Sequence, residues 1–344
     1  MFFAFSHLYG MKQLLFIAIL VLGSRMSVVA QKDLPVTADE LKTWCYFLAG
    51  DEMKGRPNGS PEMKKAADYI AACFQEAGLQ PISAESGYFQ EYTIRGRQNN
   101  EISERNVIGI LEGSDPVLKD EWIILSAHFD HIGIRKPVDG DSIYNGANDN
   151  ATGTITVMAL AKTLGASGIK PKRSIIFVAY SGEEMGLRGS RWFVEHLPVP
   201  QDQIKLNLNF EMEGESATLG KNRYILTGCQ FTDFDDLLDQ YNKNTEWEVA
   251  RRFKSPEGVF LASDNAALAI GREGDRIILN IPAFTIVTTD DMNFIHKVTD
   301  EPQRMDYDNM ASLVAYATGL IRFLAADPLA IHWDQDAFDQ FNQR

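Results

Sequence analysis

The sequence has few cysteines, three in 344 residues: Cys45, Cys73 and Cys229. So few cannot form the dense disulfide framework of a small secreted domain, and an odd number leaves at least one thiol unpaired. Cys45 and Cys73 fall in two helix-like segments near the start of the chain and are candidates for a disulfide. Spacing alone does not give the connectivity.

Basic residues are also scarce. Lysine and arginine number 33 against 47 aspartates and glutamates, which gives a net charge of −14 at pH 7. Nucleic-acid binding relies on many contacts between cationic side chains and phosphates. The composition therefore argues against a nucleic-acid partner, and bound cations would offset part of the acidic charge.

Long apolar runs are absent apart from one near the amino terminus. Residues 12–30 contain Lys12, an apolar core at 14–22 and a Val-Val-Ala sequence ending at Ala30. This is the pattern of a signal peptide with a small-residue cleavage site, and the core is too short to span a membrane. We predict a signal peptide at 1–30 and one domain at 31–344, secreted or periplasmic, with no membrane anchor.

Strand-like and helix-like patterns alternate along the rest of the chain, without internal repeats or a low-complexity linker. The strand-like runs are 106–111, 122–127, 174–180, 204–210 and 283–287. The helix-like runs are 151–164, 187–196, 231–241 and 309–325. This alternation predicts an α/β fold with a central, mostly parallel mixed sheet flanked by helices.

Polar clusters follow several of these strands. The run at 122–127 leads into His128 and Asp130, and a carboxylate near a histidine can hold its second ring nitrogen while the first binds a metal. An isolated His-x-Asp, or the neighbouring His131, is more often a structural feature. The site prediction therefore depends on the other clusters.

Glu183 and Glu184 come directly after the run at 174–180. Adjacent residues leaving a strand point in different directions, so one carboxylate can bind a metal while the other transfers a proton. The Asn148-Asp149-Asn150 loop suits a carboxylate that bridges two cations, although Asn or Asp before a helix is also an ordinary N-cap. Glu211 and Glu213 follow the run at 204–210, and His296 lies beyond the run at 283–287.

These five clusters, in this order and at these spacings, resemble the M28 family of metallo-aminopeptidases, exopeptidases that use two zinc ions. The resemblance begins at Gly55-Arg56-Pro57-Asn58-Gly59-Ser60 and extends to the helix near 308–324. It covers nearly the whole mature chain. It implies a single zinc-exopeptidase-like domain, an M28-like peptidase domain, at 31–344.

The resemblance implies five metal ligands, namely His128, Asp149, Glu184, Glu211 and His296. Asp149 would bridge the two ions, with His128 and Glu211 on one and Glu184 and His296 on the other. Zinc suits imidazole and carboxylate donors, with cobalt or manganese as substitutes.

The implied reaction is hydrolysis of the first peptide bond of a peptide that has a free amino terminus. Glu183 would be the general base for a metal-activated water. Asp130 and Asp300 would hold the rings of His128 and His296. Asp264 matches a segment that lies near the substrate cleft in the family, but the sequence Ser263-Asp264-Asn265 is also typical of an ordinary helix start.

Two positions depart from the commonest pattern of the family. The fourth ligand is more usually aspartate, whereas this chain has Glu211, with Glu213 as the competing residue. Glu211 is preferred because it falls at the position of the family's carboxylate, with two residues separating it from Gly214, which matches a glycine of the family. Some members carry a tyrosine where this chain has Ile295, so oxyanion stabilisation must come from the metals or another donor.

Two other functions remain open. Relatives of this fold that use one zinc cyclise amino-terminal glutamine, as glutaminyl-peptide cyclotransferases. His128 and the Asn148-Asp149-Asn150 loop argue against that activity because they complete a second metal site. A non-catalytic peptide-binding protein could keep the same scaffold, but Glu183 argues against it.

Overall fold

The computed structural model describes residues 36–96, 99–251, 256–326 and 329–342, in which helices flank a central sheet. The predicted signal peptide lies outside the described residues. The helices are Ala38–Leu48 (α1), Pro61–Glu76 (α2), Thr152–Gly165 (α3), Arg188–Glu195 (α4), Phe234–Asn242 (α5), Pro256–Ala262 (α6), Asn265–Ala269 (α7), Tyr307–Ala326 (α8) and Gln335–Asn342 (α9). The strands are Gln80–Pro81 (β1), Phe89–Arg95 (β2), Glu101–Leu111 (β3), Trp122–His128 (β4), Gly133–Val138 (β5), Asp141–Tyr144 (β6), Ser174–Tyr180 (β7), Ile204–Phe210 (β8), Arg223–Leu226 (β9), Glu248–Val249 (β10), Ile270–Glu273 (β11), Arg276–Leu279 (β12) and Ala283–Val287 (β13).

The main sheet has the strand order β1-β3-β7-β4-β8-β13-β9-β10, with β2 paired to β3. Its middle strands β7, β4, β8 and β13 are mutually parallel. Strands β3 and β9 flank them in the antiparallel direction. The predicted mixed α/β sheet is therefore confirmed, and its parallel part is the centre.

All five predicted strands are present, but the antiparallel side of the sheet is larger than predicted. β3 begins at Glu101, before the predicted start at 106, because its first half pairs with β2. β2 itself was missed. It lies at the edge with alternating burial, so its sequence lacks the continuous apolar run that marks a central strand.

The sheet separates two layers of side chains. In β4, Ile123 and Leu125 face one core with α1, α2, α3 and α8, whereas Ile124 faces the other core with α4 and α7. This follows the two-residue alternation of a strand. By length and composition α8 could cross a membrane, but most of it is buried and it packs on α1 and α3.

The three cysteines are free thiols. Cys45 is buried in α1 and Cys73 is half-buried in α2, and the disulfide considered from the sequence is not formed between them. Burial raises the pKa of Cys45 to about 12, so this thiol stays protonated at neutral pH.

Arg56 joins three separate segments of the chain. Its buried guanidinium donates four hydrogen bonds of 2.7–2.8 Å to backbone carbonyls, which belong to Leu48, Phe129, Asn145 and Gly146. These acceptors lie at the end of α1, just beyond β4 and in the loop before α3. The side chain therefore fixes how the end of β4 meets the loop that carries Asp149.

We predict that Arg56→Lys destabilises the fold by about 2–5 kcal/mol, because one ammonium cannot reach four separated carbonyls and leaves buried acceptors unpaired. Urea unfolding with a fixed zinc concentration measures this. The control is Arg135→Lys, an exposed position in β5. Equal unfolding free energies for the two variants would show that Arg56 does not hold these segments together.

Candidate metal centre

The predicted site residues lie at the carboxyl edge of the parallel strands, where open α/β sheets place their sites. His128 is the last residue of β4 and is paired in register with Tyr180, the last residue of β7. Glu183 and Glu184 follow β7, and Glu211 follows β8. His296 lies beyond β13 in a left-handed backbone conformation with φ of 55°.

Asp149 lies in an irregular segment, Ala147–Ala151, that precedes α3. The side chain of Asn150 donates to the Phe210 carbonyl at 3.0 Å and accepts from the Met212 amide at 3.2 Å. Asn148 accepts from the Gly214 amide at 2.8 Å. The two asparagines therefore tie this loop to the end of β8, which places Asp149 beside Glu211. The Asp149–Asn150 peptide bond is cis.

One group of possible metal donors consists of His128, Asp149 and Glu211, whose ligand atoms lie within 4.8 Å of one another. His128 Nε2 is 3.5 Å from Asp149 Oδ1 and has no hydrogen-bond partner among the described residues. The Ser263 hydroxyl donates to Glu211 Oε2. A buried imidazole nitrogen that faces two carboxylates fits a zinc ligand.

A second group consists of His131, Asp149, Glu184 and His296, again within 4.8 Å. His296 Nε2 is 2.9 Å from Glu184 Oε1 and 3.4 Å from Asp149 Oδ2. His131 belongs to this group although it was not among the predicted ligands. The only sequence signal for it is its position three residues after His128.

Asp149 belongs to both groups and offers a different oxygen to each. Its Oδ1 faces His128, and its Oδ2 faces His296 at 3.4 Å and His131 at 3.7 Å. A carboxylate with this orientation can bridge two cations.

Burial and neighbouring charges set the ionisation of the carboxylates in the absence of bound ions. Burial raises the pKa of Glu183 to about 10 and that of Glu211 to about 7. Burial acts in the same direction on Glu184, but contacts with His131 and His296 outweigh it and lower the pKa of Glu184. Nearby cations would favour the ionised form of all three carboxylates.

Asp130 has a different set of partners from the one predicted. Its carboxylate accepts hydrogen bonds from the amides of Glu183 and Glu184 at 3.1 and 3.2 Å, and from Asn58 at 2.7 Å. Its Oδ1 is 3.7 Å from His128 Nδ1, which is longer than a hydrogen bond. Asp130 therefore positions the pair of glutamates, and the Asp130 carbonyl, 3.2 Å away, is nearer to the His128 ring.

The prediction that Asp300 holds the His296 ring is wrong. The Asp300 carboxylate accepts from the amides of Asn148 and Asp149 at 2.7 and 3.0 Å. The backbone carbonyl of Asp300 also accepts from the Ala147 amide at 3.2 Å. Asp300 therefore holds the backbone of the loop that carries Asp149.

Of the two alternatives left open for Asp264, the structure supports the helix start, because Asp264 precedes α7 and is not among the residues that line the cavity at the site. It is fully buried at the start of α7, and burial raises its pKa to about 6. Ser263 lines the cavity in its place. Glu213, the alternative ligand to Glu211, is also fully buried and lies outside both donor groups.

The donor groups open onto a cavity of about 480 Å³. Glu183, Glu184, Asp149, Glu211 and His296 form its polar wall. The rest of the lining is mostly apolar and includes Met212, Val259, Ala262, Met292 and Ile295. The cavity therefore combines acidic donors with an apolar surface.

Curated relatives share part of this chain. Aminopeptidase YwaD of Bacillus subtilis (strain 168) is 26% identical over 189 residues, which are 55% of this chain and 36% of that protein. The alkaline phosphatase isozyme conversion protein of Escherichia coli (strain K12) is 27% identical over 220 residues, 62% of this chain and 61% of that protein. The matched regions thus span about a third to three-fifths of these relatives.

Solved structures share the fold at lower identity. The zinc aminopeptidase BSAP from Bacillus subtilis has a TM-score of 0.63 and 14% identity, over 86% of this chain and 97% of that chain. LapB from Legionella pneumophila has a TM-score of 0.63 and 18% identity, over 88% and 76%. Porphyromonas gingivalis glutaminyl cyclase has a TM-score of 0.60 and 15% identity, over 83% and 97%.

A sequence model of peptidase family M28 matches residues 106–320. This range is more than half of the chain and contains every residue of both donor groups. The chain therefore belongs to peptidase family M28.

Proposed function

We propose that the protein is a zinc-dependent aminopeptidase that hydrolyses the first peptide bond of peptides with a free amino terminus. The main support for the proposal is the orientation of Asp149, whose two oxygens face two separate groups of possible metal donors. Family membership and the relatives named as aminopeptidases support it.

The donor set fits zinc, with two ions as the proposed number. His128, Asp149 and Glu211 would hold one ion, and Asp149, Glu184 and His296 the other. Imidazole and carboxylate oxygen are common zinc ligands, and cobalt or manganese also accept them. Bound zinc would polarise the scissile carbonyl and lower the pKa of water.

Glu183 is the proposed general base. It lines the cavity beside Glu184. Its backbone amide donates a hydrogen bond of 3.1 Å to the Asp130 carboxylate, and this bond fixes the position of the Glu183 backbone. Its carboxylate accepts a proton from the attacking water and then transfers it to the departing amine nitrogen, a role worth about 10²- to 10⁴-fold.

The cavity favours a substrate with an apolar first side chain. Met212, Val259 and Ile295 offer apolar surface next to the acidic wall, so an apolar side chain would be desolvated there while the protonated α-amine meets carboxylates. Export from the cytoplasm, to the periplasm or the exterior, is also part of the proposal and rests on residues 1–30 of the sequence.

We predict that the zinc-loaded protein releases the chromophore from leucyl-p-nitroanilide and leaves the N-acetyl derivative intact, because the proposed site requires a free α-amine. A panel of aminoacyl-p-nitroanilides with zinc added back measures this. If only peptides with amino-terminal glutamine react, and they lose ammonia without hydrolysis, the protein is a cyclotransferase. If no substrate reacts but peptides bind, it is a binding protein.

We predict that Glu183→Gln and Glu184→Gln fail in different ways. Glu183→Gln should retain bound zinc and lose activity by at least about 100-fold, because a nearly isosteric amide cannot accept the proton. Glu184→Gln should lose zinc from the second group, because it removes a charged donor. Metal analysis after gel filtration and steady-state kinetics measure both. Identical zinc content in the two variants would contradict the division of roles.

We predict that Glu211→Ala weakens zinc binding far more than Glu213→Ala. Glu211 belongs to a donor group and Glu213 does not, although the two residues are close neighbours on the same loop. Competitive chelator titration measures the difference, with Glu211→Asp as the conservative variant that should retain zinc. A larger loss in Glu213→Ala would transfer the ligand role to Glu213.

A further inference from the structure

His131 is packed tightly next to the other members of the second donor group. Its side chain is buried, and its amide donates to the Arg56 carbonyl at 3.2 Å. Gly146 packs against the ring so tightly that a Cβ there would lie 2.4 Å from His131 Cγ. The ring is therefore held in one place before any ligand arrives.

The distances from His131 Nδ1 match those of a metal ligand. It lies 3.0 Å from Glu184 Oε1 and 3.7 Å from Asp149 Oδ2, compared with 2.9 and 3.4 Å for His296 Nε2 to the same two atoms. In a zinc tetrahedron with bonds of about 2.0–2.1 Å, neighbouring donor atoms are about 3.3–3.4 Å apart. The His131 and His296 nitrogens thus stand in equivalent positions around the two carboxylates.

Apart from the contacts of Nδ1 with Glu184 and Asp149, no described residue offers the His131 ring a polar partner. Neither ring nitrogen makes a hydrogen bond with acceptable geometry to any described residue, although the side chain is buried. A buried polar nitrogen without a partner costs free energy, about 1–3 kcal/mol. A cation bound between Glu184 and Asp149 would satisfy Nδ1.

We propose that His131 is a fourth protein ligand of the second ion, beside Asp149, Glu184 and His296. This inference rests on the proposed two-zinc site and adds a residue outside the five-ligand set. The two ions would then differ. Four protein ligands make a closed site of the kind that holds structural zinc, whereas His128, Asp149 and Glu211 leave a position open for substrate.

Zinc X-ray absorption on the full chain, loaded with two equivalents of zinc, tests the proposal directly. We expect scattering from three imidazoles for each pair of ions in the wild type, and from two in His131→Gln. If the wild type shows only two, His131 is a hydrogen-bonding neighbour of Glu184 and the proposal is wrong. This measurement decides the point even if the variant folds poorly.

Competitive chelator titration provides the second readout. His131→Gln should weaken the more tightly bound ion by more than about 100-fold, which exceeds the 10- to 100-fold typical of a neighbour that only orients a ligand. The control is His332→Gln, because His332 is exposed and outside both donor groups. Equal affinities in the wild type and His131→Gln would overturn the proposal.

The two proposals fail in distinguishable ways. If the wild type binds fewer than two ions in excess zinc, the two-zinc site fails and the His131 proposal fails with it. If two ions bind and leucyl-p-nitroanilide is hydrolysed but only two imidazoles scatter, the proposed function stands and the His131 proposal alone is rejected.

Discussion

Crowding of buried negative charge at one edge of the sheet is the constraint on which the rest of the structure depends. Asp149, Glu183, Glu184 and Glu211 meet there, and burial together with the neighbouring carboxylates raises the pKa of Glu183 to about 10 and that of Glu211 to about 7. Carboxylates in such a place remain ionised only beside positive charge or strong donors. Divalent cations would supply that charge, so we expect metal binding and folding stability to be linked.

Residues outside the two donor groups hold the crowded carboxylates in position. Arg56 joins the end of β4 to the loop before α3, and Asn150 joins that loop to the end of β8. The carboxylate of Asp130 accepts hydrogen bonds from the backbone amides of Glu183 and Glu184, and that of Asp300 accepts one from the amide of Asp149. The two aspartates therefore hold these three residues through the main chain. The precision of the site therefore comes from hydrogen bonds to the backbone, which do not depend on the presence of metal.

The central strands could be predicted from the sequence because they are mostly apolar runs, and the polar clusters that follow them mark where they end. β2 was missed because an alternating edge strand carries a weaker signal. Asp300 was assigned to His296 from sequence proximity, but its carboxylate accepts from the amides of Asn148 and Asp149, which are about 150 residues earlier in the chain. His131 was not predicted as a ligand, because a second histidine three residues after the first is common. Only the fold shows that both histidines face Asp149.

The proposed function requires that Asp149 be shared by two metal ions. Anomalous diffraction at the zinc absorption edge, from crystals of the zinc-loaded full chain, tests it most directly. We expect one peak between His128, Asp149 and Glu211 and a second between Asp149, Glu184 and His296. A single peak, or two peaks of which one does not contact Asp149, would contradict it.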